Sequence, residues 1–245
     1  MCPLSKNTTS CLRQYERLFN IDMENVLMTA GGSIDTDLPA EFLSKKTEYG
    51  IDTVVACDKG YEALAAIDVT PDIIIGDFDS VSMRDQEAIL QDSADKSACE
   101  VIRLNPVKDD TDTEAAIRVC AERGAKCIYL FGATGSRVDH VLGNIELLAF
   151  AKERNCELVI IDRHNRIRLA DKPIRIAREK QWGRFVSLIP YTETVEKLTL
   201  RGFKYELTDA DIKKGNTLGI SNEITEDTAD ISFSKGLLLV IESSD

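Results

Sequence analysis

Two carboxylates separated by one residue directly follow a run of three isoleucines. Residues 73–75 form that run, Gly76 ends it, and Asp77 and Asp79 come next. A short apolar run between turn-forming residues is typical of a strand buried on both faces of a parallel sheet. Because side chains two positions apart in an extended chain point the same way, Asp77 and Asp79 can converge on one point. A bridging cation would relieve their repulsion, and Mg2+ is the best candidate because it partners phosphates.

Four further clusters of glycines, carboxylates or both lie at or just after predicted strand ends. They are residues 30–33 (Ala-Gly-Gly-Ser), 56–60 (Ala-Cys-Asp-Lys-Gly), 108–114 (Lys-Asp-Asp-Thr-Asp-Thr-Glu) and 132–140 (Gly-Ala-Thr-Gly-Ser-Arg-Val-Asp-His). In open parallel sheets, ligands bind beyond the carboxyl ends of the strands. Together the five clusters predict one ligand-binding rim that is rich in carboxylates and flexible backbone.

Each cluster taken alone also has an ordinary structural explanation. A lone Asp-x-Asp after a strand is more often a turn or a helix cap than a metal site. Thr111 is a fair N-cap, so Asp112 could merely complement the helix dipole. The glycine-containing loop that ends at Arg137 matches neither a P-loop nor GxGxxG, although its amides and guanidinium could bind phosphate. His140 next to Asp139 suggests a catalytic dyad, but neighbours on a helix do not face each other, which favours a structural histidine.

The elements that must position these clusters alternate between strand and helix from residue 26. Predicted strands are 26–29, 53–57, 73–75, 101–104, 127–131 and 158–161, and predicted helices are 39–49, 61–67, 83–91, 113–123 and 140–154. This alternation predicts an α/β domain, a Rossmann-like parallel sheet with helices on both faces.

After about residue 162 the pattern changes to short strands separated by turns. The predicted strands are 166–170, 174–177, 184–189, 196–200, 204–207, 229–234 and 236–241, and no convincing helix accompanies them. Such a pattern predicts a smaller all-β sandwich domain. The expected organisation is a lead-in at residues 1–25, the α/β domain at 26–164 and the β-sandwich domain at 165–245.

Composition narrows the class of protein. The chain has 245 residues and a formal net charge of -12, which argues against nucleic acid or an anionic membrane as partner, since both need a basic surface. No apolar run is long enough to span a membrane, and the first 15 residues lack the apolar core of a signal peptide. Seven scattered cysteines without a CxxC pair, beside two histidines, argue against zinc and favour reduced thiols. These features predict a cytoplasmic protein.

Several segments, in the same order along the chain, resemble the thiamine pyrophosphokinase family. They are residues 71–80 (PDIIIGDFDS), 110–114 (DTDTE), 135–140 (GSRVDH) with Asn144 following, 185–190 (FVSLIP), 198–205 (LTLRGFKY) and 218–223 (LGISNE). The resemblance runs from about residue 26 to 242. It implies transfer of the pyrophosphoryl group of ATP to the hydroxyl of thiamine, leaving AMP, by a homodimer whose active sites lie in clefts between subunits.

The resemblance also assigns roles to residues. The Mg2+ ligands would be Asp77, Asp79 and Asp112, with Asp58 nearby in the polyphosphate pocket. Arg137 and Asp139 resemble the family's ATP-site residues, and the predicted ATP site also includes Gly31, Gly32, Gly60 and Asn144. Thiamine would be contacted by Ser221 and Asn222, from the β domain of the partner subunit.

One segment departs from the family pattern. The family usually carries Asp-x-Gly-Ala-Asn after the second strand, where this chain has Asp58, Lys59, Gly60, Tyr61 and Glu62. Two alternatives therefore stay open: a related phosphoryl- or nucleotidyl-transferase with another hydroxylated acceptor, and a binding module that has lost catalysis. The intact metal and ATP motifs weigh against the second alternative.

Overall fold

The computed structural model describes residues 23–78, 99–105 and 110–245, and fourteen strands are found in them. The strands are β1 (Asn25–Thr29), β2 (Thr53–Cys57), β3 (Ile73–Gly76), β4 (Glu100–Arg103), β5 (Cys127–Phe131), β6 (Glu157–Ile161), β7 (Asn165–Ala170), β8 (Ile174–Ala177), β9 (Phe185–Pro190), β10 (Thr194–Arg201), β11 (Leu207–Lys213), β12 (Asn222–Glu223), β13 (Thr228–Ser232) and β14 (Leu238–Ser243). The helices are α1 (Asp37–Ser44), α2 (Lys46–Tyr49), α3 (Gly60–Ala65), α4 (Asp112–Glu122) and α5 (Val138–Lys152), with one 3-10 turn at Arg178–Lys180.

The first six strands form a parallel sheet in the order β4-β3-β2-β1-β5-β6. The chain steps outward from β1 to β4 and then returns to place β5 on the other side of β1. Met28 of β1 accordingly pairs with Val55 of β2 and with Leu130 of β5. The reversal between β1 and β5 is the topological switch point, where ligands of such sheets bind.

The isoleucine run is buried on both faces, as predicted. All three side chains of residues 73–75 have no exposed surface. Ile73 and Ile75 belong to the core beneath α4 and α5, whereas Ile74 belongs to the core beneath α1 and α3. The predicted α/β layer with helices on both faces is therefore confirmed.

The second half of the chain is antiparallel and completes a two-layer sandwich. Strands β7, β14, β9 and β12 continue the first sheet to ten strands, because β7 pairs antiparallel with β6. The other layer is a four-stranded sheet in the order β11-β10-β13-β8. Val186, Leu188 and Val240 of the first layer share a buried core with Leu198 and Ile231 of the second. The boundary at residues 164 and 165 thus falls inside one continuous sheet and remains a prediction.

Three predicted elements need comment. The single helix expected at 39–49 is two helices, α1 and α2, divided at Lys45. The strand expected at 204–207 is wrong, since β11 begins only at Leu207 and runs to Lys213. The helix expected at 83–91 and most of the lead-in at 1–25 lie outside the described residues. Among the helices that are described, none is long and apolar enough to cross a membrane.

The missed strand has a physical explanation in its aspartates, which seldom occur in strands. Asp211 accepts a hydrogen bond from the backbone N-H of Lys197 at 2.9 Å through Oδ1. The backbone N-H of Asp209 donates to the Thr199 hydroxyl at 3.1 Å. Lys197 and Asp209 both have positive φ, and the pairing of β10 with β11 shifts register. Side-chain bonds to an irregular edge therefore stabilise a strand that the pattern did not predict.

Candidate active site

A cleft of about 900 Å3 opens at the carboxyl ends of β1, β2 and β5. It lies at the switch point of the parallel sheet, where the fold predicts a ligand. Its walls come from the loops after these three strands, from α3 and from the N-terminal ends of α4 and α5. The lining residues that sequence motifs had singled out are Gly31, Gly32, Asp58, Thr111, Asp112, Gly132, Gly135, Arg137, His140 and Asn144.

Backbone contacts between two loops form the floor of the cleft. The N-H of Gly32 donates to the carbonyl of Gly132 at 2.9 Å, and that of Ala30 donates to Phe131 at 2.8 Å. A Cβ on Gly32 would stand 2.3 Å from the Gly132 oxygen. Glycine at position 32 is therefore required by close approach of the two loops.

Gly60, the first residue of α3, has a similar role after the neighbouring strand β2. A Cβ there would lie 2.1 Å from the carbonyl oxygen of Thr29, and the Thr29 hydroxyl donates to the Gly60 carbonyl at 2.9 Å. Gly60 is itself buried and is not among the described residues that line the cleft. It therefore positions α3 against β1, and a direct ATP contact by Gly60 remains a prediction.

Asp58 lies at the end of β2 in a left-handed backbone conformation, with φ of 48°. Its N-H donates to the carbonyl of Ile75 at 2.8 Å, which fixes it beside Gly76 at the end of β3. Asp77 is the residue that follows β3. The structure thus brings Asp58 and Asp77 to neighbouring strand ends, as the rim predicted from the sequence requires.

The third acidic strand-end segment begins α4. Thr111 caps the helix, since its hydroxyl accepts from the N-H of Glu114 at 3.2 Å, and Asp112 is the first helical residue. The Thr113 hydroxyl lies 4.0 Å from the sulfur of Cys57, which directly precedes Asp58. The capping interpretation is confirmed, and the same cap holds Asp112 at the cleft wall.

The predicted metal set is only partly described. Asp79 lies outside the described residues, so the set of Asp77, Asp79 and Asp112 stays a prediction. Within residues 23–78, 99–105 and 110–245, no three carboxylate, cysteine or histidine side chains are placed to hold a metal ion. Asp58, Asp77 and Asp112 nevertheless supply only hard oxygen donors, which are the donors that Mg2+ prefers.

Arg137, the N-cap residue of α5, binds an aspartate of its own helix. The Arg137 guanidinium donates to both carboxylate oxygens of Asp139, at 2.6 and 3.2 Å, and this hydrogen bonding lowers the pKa of Asp139 to about 2. Both side chains are exposed, and Arg137 lines the cleft. Asn144 donates from Nδ2 to the carbonyl of Ala133 at 2.7 Å. Asn144 thereby holds the loop that precedes Arg137.

Comparison with known proteins agrees with this geometry. Residues 45–160 match the thiamin pyrophosphokinase catalytic domain, and residues 172–238 match the thiamin pyrophosphokinase vitamin B1 binding domain. The thiamine pyrophosphokinase of Bacillus subtilis is 33% identical over 91% of this chain and 100% of its own length. The chain belongs to the thiamine pyrophosphokinase family.

Solved structures of the family share the fold. The Bacillus subtilis thiamine pyrophosphokinase superposes with a TM-score of 0.77, covering 91% of this chain and 100% of its own. The thiamin pyrophosphokinase of Geobacillus thermodenitrificans, 34% identical, gives 0.74 over 90% of this chain and 98% of its own. The α/β sheet followed by a β sandwich is thus the fold of the thiamine pyrophosphokinase family.

The vitamin B1 binding segment includes the two residues predicted to contact thiamine. Neither Ser221 nor Asn222 is among the described residues that line the cleft. Asn222 is buried: its Oδ1 accepts from the N-H groups of Tyr205 and Glu223 at 3.0 and 2.9 Å, and its Nδ2 donates to the Tyr205 carbonyl at 2.8 Å. Ser221 is exposed, with φ of 57°. Asn222 thus holds the loop at Tyr205, and a contact of either residue with thiamine remains a prediction.

The departure from the thiamine pyrophosphokinase motif after β2 divides into two parts. Tyr61 turns away from the cleft and is buried in the core with Leu64 and Ile74. Lys59 and Glu62 instead line the cleft, and the sequence motifs had given neither of them a role. Their spacing could have revealed them, because Lys59 and Glu62 are three positions apart and residues at that spacing lie on one face of a helix.

Proposed function

We propose that this chain transfers the pyrophosphoryl group of ATP to the hydroxyl of thiamine, giving thiamine diphosphate and AMP. The observation that carries the proposal is the cleft at the switch point, whose floor is formed by glycine loops and whose lining includes Arg137, Asp58 and Asp112. Attack at a phosphorus atom requires in-line positioning and charge neutralisation more than a covalent group on the protein. The glycine loops of the cleft can position the phosphate chain, and Arg137 can neutralise its charge.

The chain's own residues have distinct parts in this reaction. Arg137 exchanges Asp139 for a phosphate oxygen when ATP enters, because a guanidinium binds both kinds of oxygen in the same bidentate manner. Asn144 keeps the Arg137 loop in place through Ala133. A carboxylate among Asp58, Asp77 and Asp112 accepts the proton of the thiamine hydroxyl.

We propose Mg2+ as the cofactor, held by Asp77, Asp79 and Asp112, with Asp58 beside them. The support is chemical: Asp58 and Asp112 line the cleft, Asp77 follows the strand to which Asp58 bonds, and these carboxylates are hard oxygen donors. When bound, Mg2+ offsets the negative charge on the phosphate oxygens.

We propose that the enzyme is a homodimer in which Ser221 and Asn222 of one chain face the cleft of the other. The support is two exposed apolar patches. One patch lies beside the cleft at the start of α5, where Val138 is 67% and Leu142 59% exposed. The other lies around Ser221 and contains Tyr205, Leu218 and Ile220, which are 63%, 59% and 43% exposed. Exposed apolar patches of this kind mark interaction surfaces.

The dimer has its own test in Leu142→Glu, which places a charge in the first patch. We expect sedimentation velocity to show a monomer that still binds ATP and has lost thiamine turnover. Thr47→Glu, on the exposed surface of α2, is the matched control and should leave a dimer. A wild-type monomer with full turnover would contradict the shared site.

We propose a cytoplasmic location. Among the described residues, Cys120, Cys127 and Cys156 are free thiols. Burial raises the pKa of Cys120 to about 12 and that of Cys156 to about 11, which keeps both protonated and unreactive. Free thiols in this number suit a reducing compartment.

The reaction is tested by incubating the purified chain with ATP, Mg2+ and thiamine and following AMP. Stoichiometric AMP and thiamine diphosphate are expected. AMP that forms only with another alcohol would favour a related transferase, and binding of ATP and thiamine without turnover would favour a non-catalytic module.

A further inference from the structure

The wall of the cleft formed by α3 carries two side chains of opposite charge. Lys59, at the N-cap of α3, and Glu62, in its first turn, both line the cleft. Within the described part of the chain, neither takes part in an ion pair, although a spacing of three residues would allow one. Glu62 is half-buried. A carboxylate in this position is available to a ligand.

The two charges lie at different points along the wall. The Cβ of Lys59 is 3.4 Å from where a Cβ on Gly31 would stand, so Lys59 lies against the loop that follows β1. Glu62 is one turn further along the helix, and the small side chains of Ala63 and Ala66 continue the same wall. A phosphate chain at the glycine loops and Lys59 therefore places the nucleoside beside Glu62.

The chemistry of a carboxylate limits what Glu62 can bind. An ionised carboxylate only accepts hydrogen bonds, and it repels the phosphates of ATP. The groups of ATP that can donate are the two ribose hydroxyls and the amino group of adenine. In dinucleotide-binding Rossmann domains, an acidic residue downstream of the first glycine-rich turn hydrogen-bonds a ribose hydroxyl.

We propose that Glu62 is a specificity-determining residue that accepts hydrogen bonds from the ribose hydroxyls of the nucleotide donor. The proposal rests on the proposed function in one respect, namely that a nucleotide occupies this cleft. It goes further by predicting that the enzyme discriminates ribonucleotides from deoxyribonucleotides through one side chain.

The test is a comparison of ligands by isothermal titration calorimetry, with Mg2+ present and thiamine absent. ATP, 2′-deoxy-ATP and 3′-deoxy-ATP are titrated into the wild-type chain and into Glu62→Ala. A hydrogen bond to a charged group changes affinity by roughly tenfold or more. We expect the wild type to bind ATP about tenfold more tightly than at least one deoxy analogue, and Glu62→Ala to bind all three equally.

Two further variants separate charge and folding from the contact. Glu62→Gln keeps one acceptor oxygen without the charge and should retain part of the preference. Glu48→Ala removes an exposed glutamate of α2 that does not line the cleft, and it should bind like the wild type. Thermal unfolding of each variant shows whether the fold is intact.

Three results would overturn the proposal. Glu62→Ala could weaken all three nucleotides equally, or none of them. Alternatively, its effect could disappear with purine riboside triphosphate, which lacks the amino group, and that would assign Glu62 to the base. A wild-type chain that binds ATP but makes no AMP with thiamine would defeat the proposed reaction alone, because the ribose preference is measured without turnover.

Discussion

The cleft and the Ser221 end of the sandwich, the two regions to which substrate contacts are assigned, are built in opposite ways. In the cleft, backbone groups bond to each other, as Gly32 does to Gly132, and the charged side chains Lys59, Glu62 and Arg137 line open space. At the Ser221 end, the polar side chain of Asn222 is bonded to the backbone of its own chain, and the apolar side chains of Tyr205, Leu218 and Ile220 are exposed.

This difference separates a site that one chain can complete from one that it cannot. Charged side chains in a concave cleft can bind a polyphosphate without help. Burying an exposed apolar surface against a partner is favourable, because it removes that surface from water. ATP binding should therefore be a property of the single chain, whereas thiamine turnover should need two chains.

The largest effect is expected from Asp77→Asn, which removes a charge just after β3 without changing the shape of the side chain. As a proposed oxygen ligand of Mg2+, Asp77 would contribute several kcal/mol at the transition state, so turnover should fall about a thousandfold. Rates from AMP release and the thermal unfolding midpoint are the measurements. An unfolding midpoint near that of the wild type is expected. Turnover close to the wild-type value would remove Asp77 from the metal site.

The next largest effect is expected from Gly32→Ala, which tests the backbone floor of the cleft. The new Cβ would stand 2.3 Å from the Gly132 oxygen, so the two loops must separate. We expect ATP affinity to fall roughly tenfold or more, since a displacement of about 1 Å disrupts positioned groups. Calorimetric titration of ATP measures this change in affinity.

Gly143→Ala is the matched control for that substitution. A Cβ at Gly143 meets nothing within 4 Å, and the residue lies inside α5. Replacing it should leave ATP affinity unchanged and should stabilise the fold by about 0.5–1 kcal/mol, because alanine loses less backbone entropy in a helix. Equal losses of ATP affinity in both variants would show that the loss does not depend on the close approach of Gly32 to Gly132.

The cleft was more predictable from sequence than the Ser221 end, and the reason is physical. Strand periodicity and glycines at strand ends are local signals, so the sequence alone predicted that Asp58, Asp77 and Asp112 share one rim. The direction in which a residue of a short helix points is decided by packing. Tyr61 and Glu62 therefore looked like one departure, although one side chain is core and the other lines the cleft.

The sandwich was predicted as a class of fold but not in its details. Alternation of apolar residues marks β10 and β13, which bury one face. The edge strand β11 has no such pattern, and two-residue β12 pairs with β9 only through tertiary contacts. The continuity of the two halves in one sheet depends on the pairing of β6 with β7, which no local signal reports.

A smaller effect is expected from Asn222→Ala, which breaks the internal bonds at the Ser221 end. The N-H groups of Tyr205 and Glu223 would lose their partner, at a cost of about 1–3 kcal/mol in unfolding free energy. We expect the KM for thiamine to rise while the Kd for ATP stays the same. Denaturant unfolding measures the change in unfolding free energy, and steady-state kinetics measures the KM for thiamine.

Asn216→Ala provides the control at an exposed asparagine of the same domain, which accepts one bond from the N-H of Leu218 at 2.8 Å. Its effect on unfolding free energy should stay within about 0.5 kcal/mol. A rise in the Kd for ATP caused by Asn222→Ala would contradict the separation of the two regions.

The smallest effect is expected from Asp139→Asn, which releases Arg137 from its ion pair at the cleft wall. Removing one negative charge and one competitor for the guanidinium should tighten ATP binding by about two- to fivefold, and salt should reduce the gain. Because the Asp139 pKa is lowered to about 2, the ion pair persists from neutral pH down through the ordinary carboxyl range and is lost only as pH falls through about 2. The gain should therefore be the same at pH 6 and pH 8.

Asp171→Asn is the control, because it breaks an ion pair with Lys152 away from the cleft. It should leave the affinity for ATP unchanged. Weaker ATP binding in Asp139→Asn would instead make Asp139 a direct nucleotide contact, as the family resemblance implies, and the cleft would then use both members of the pair.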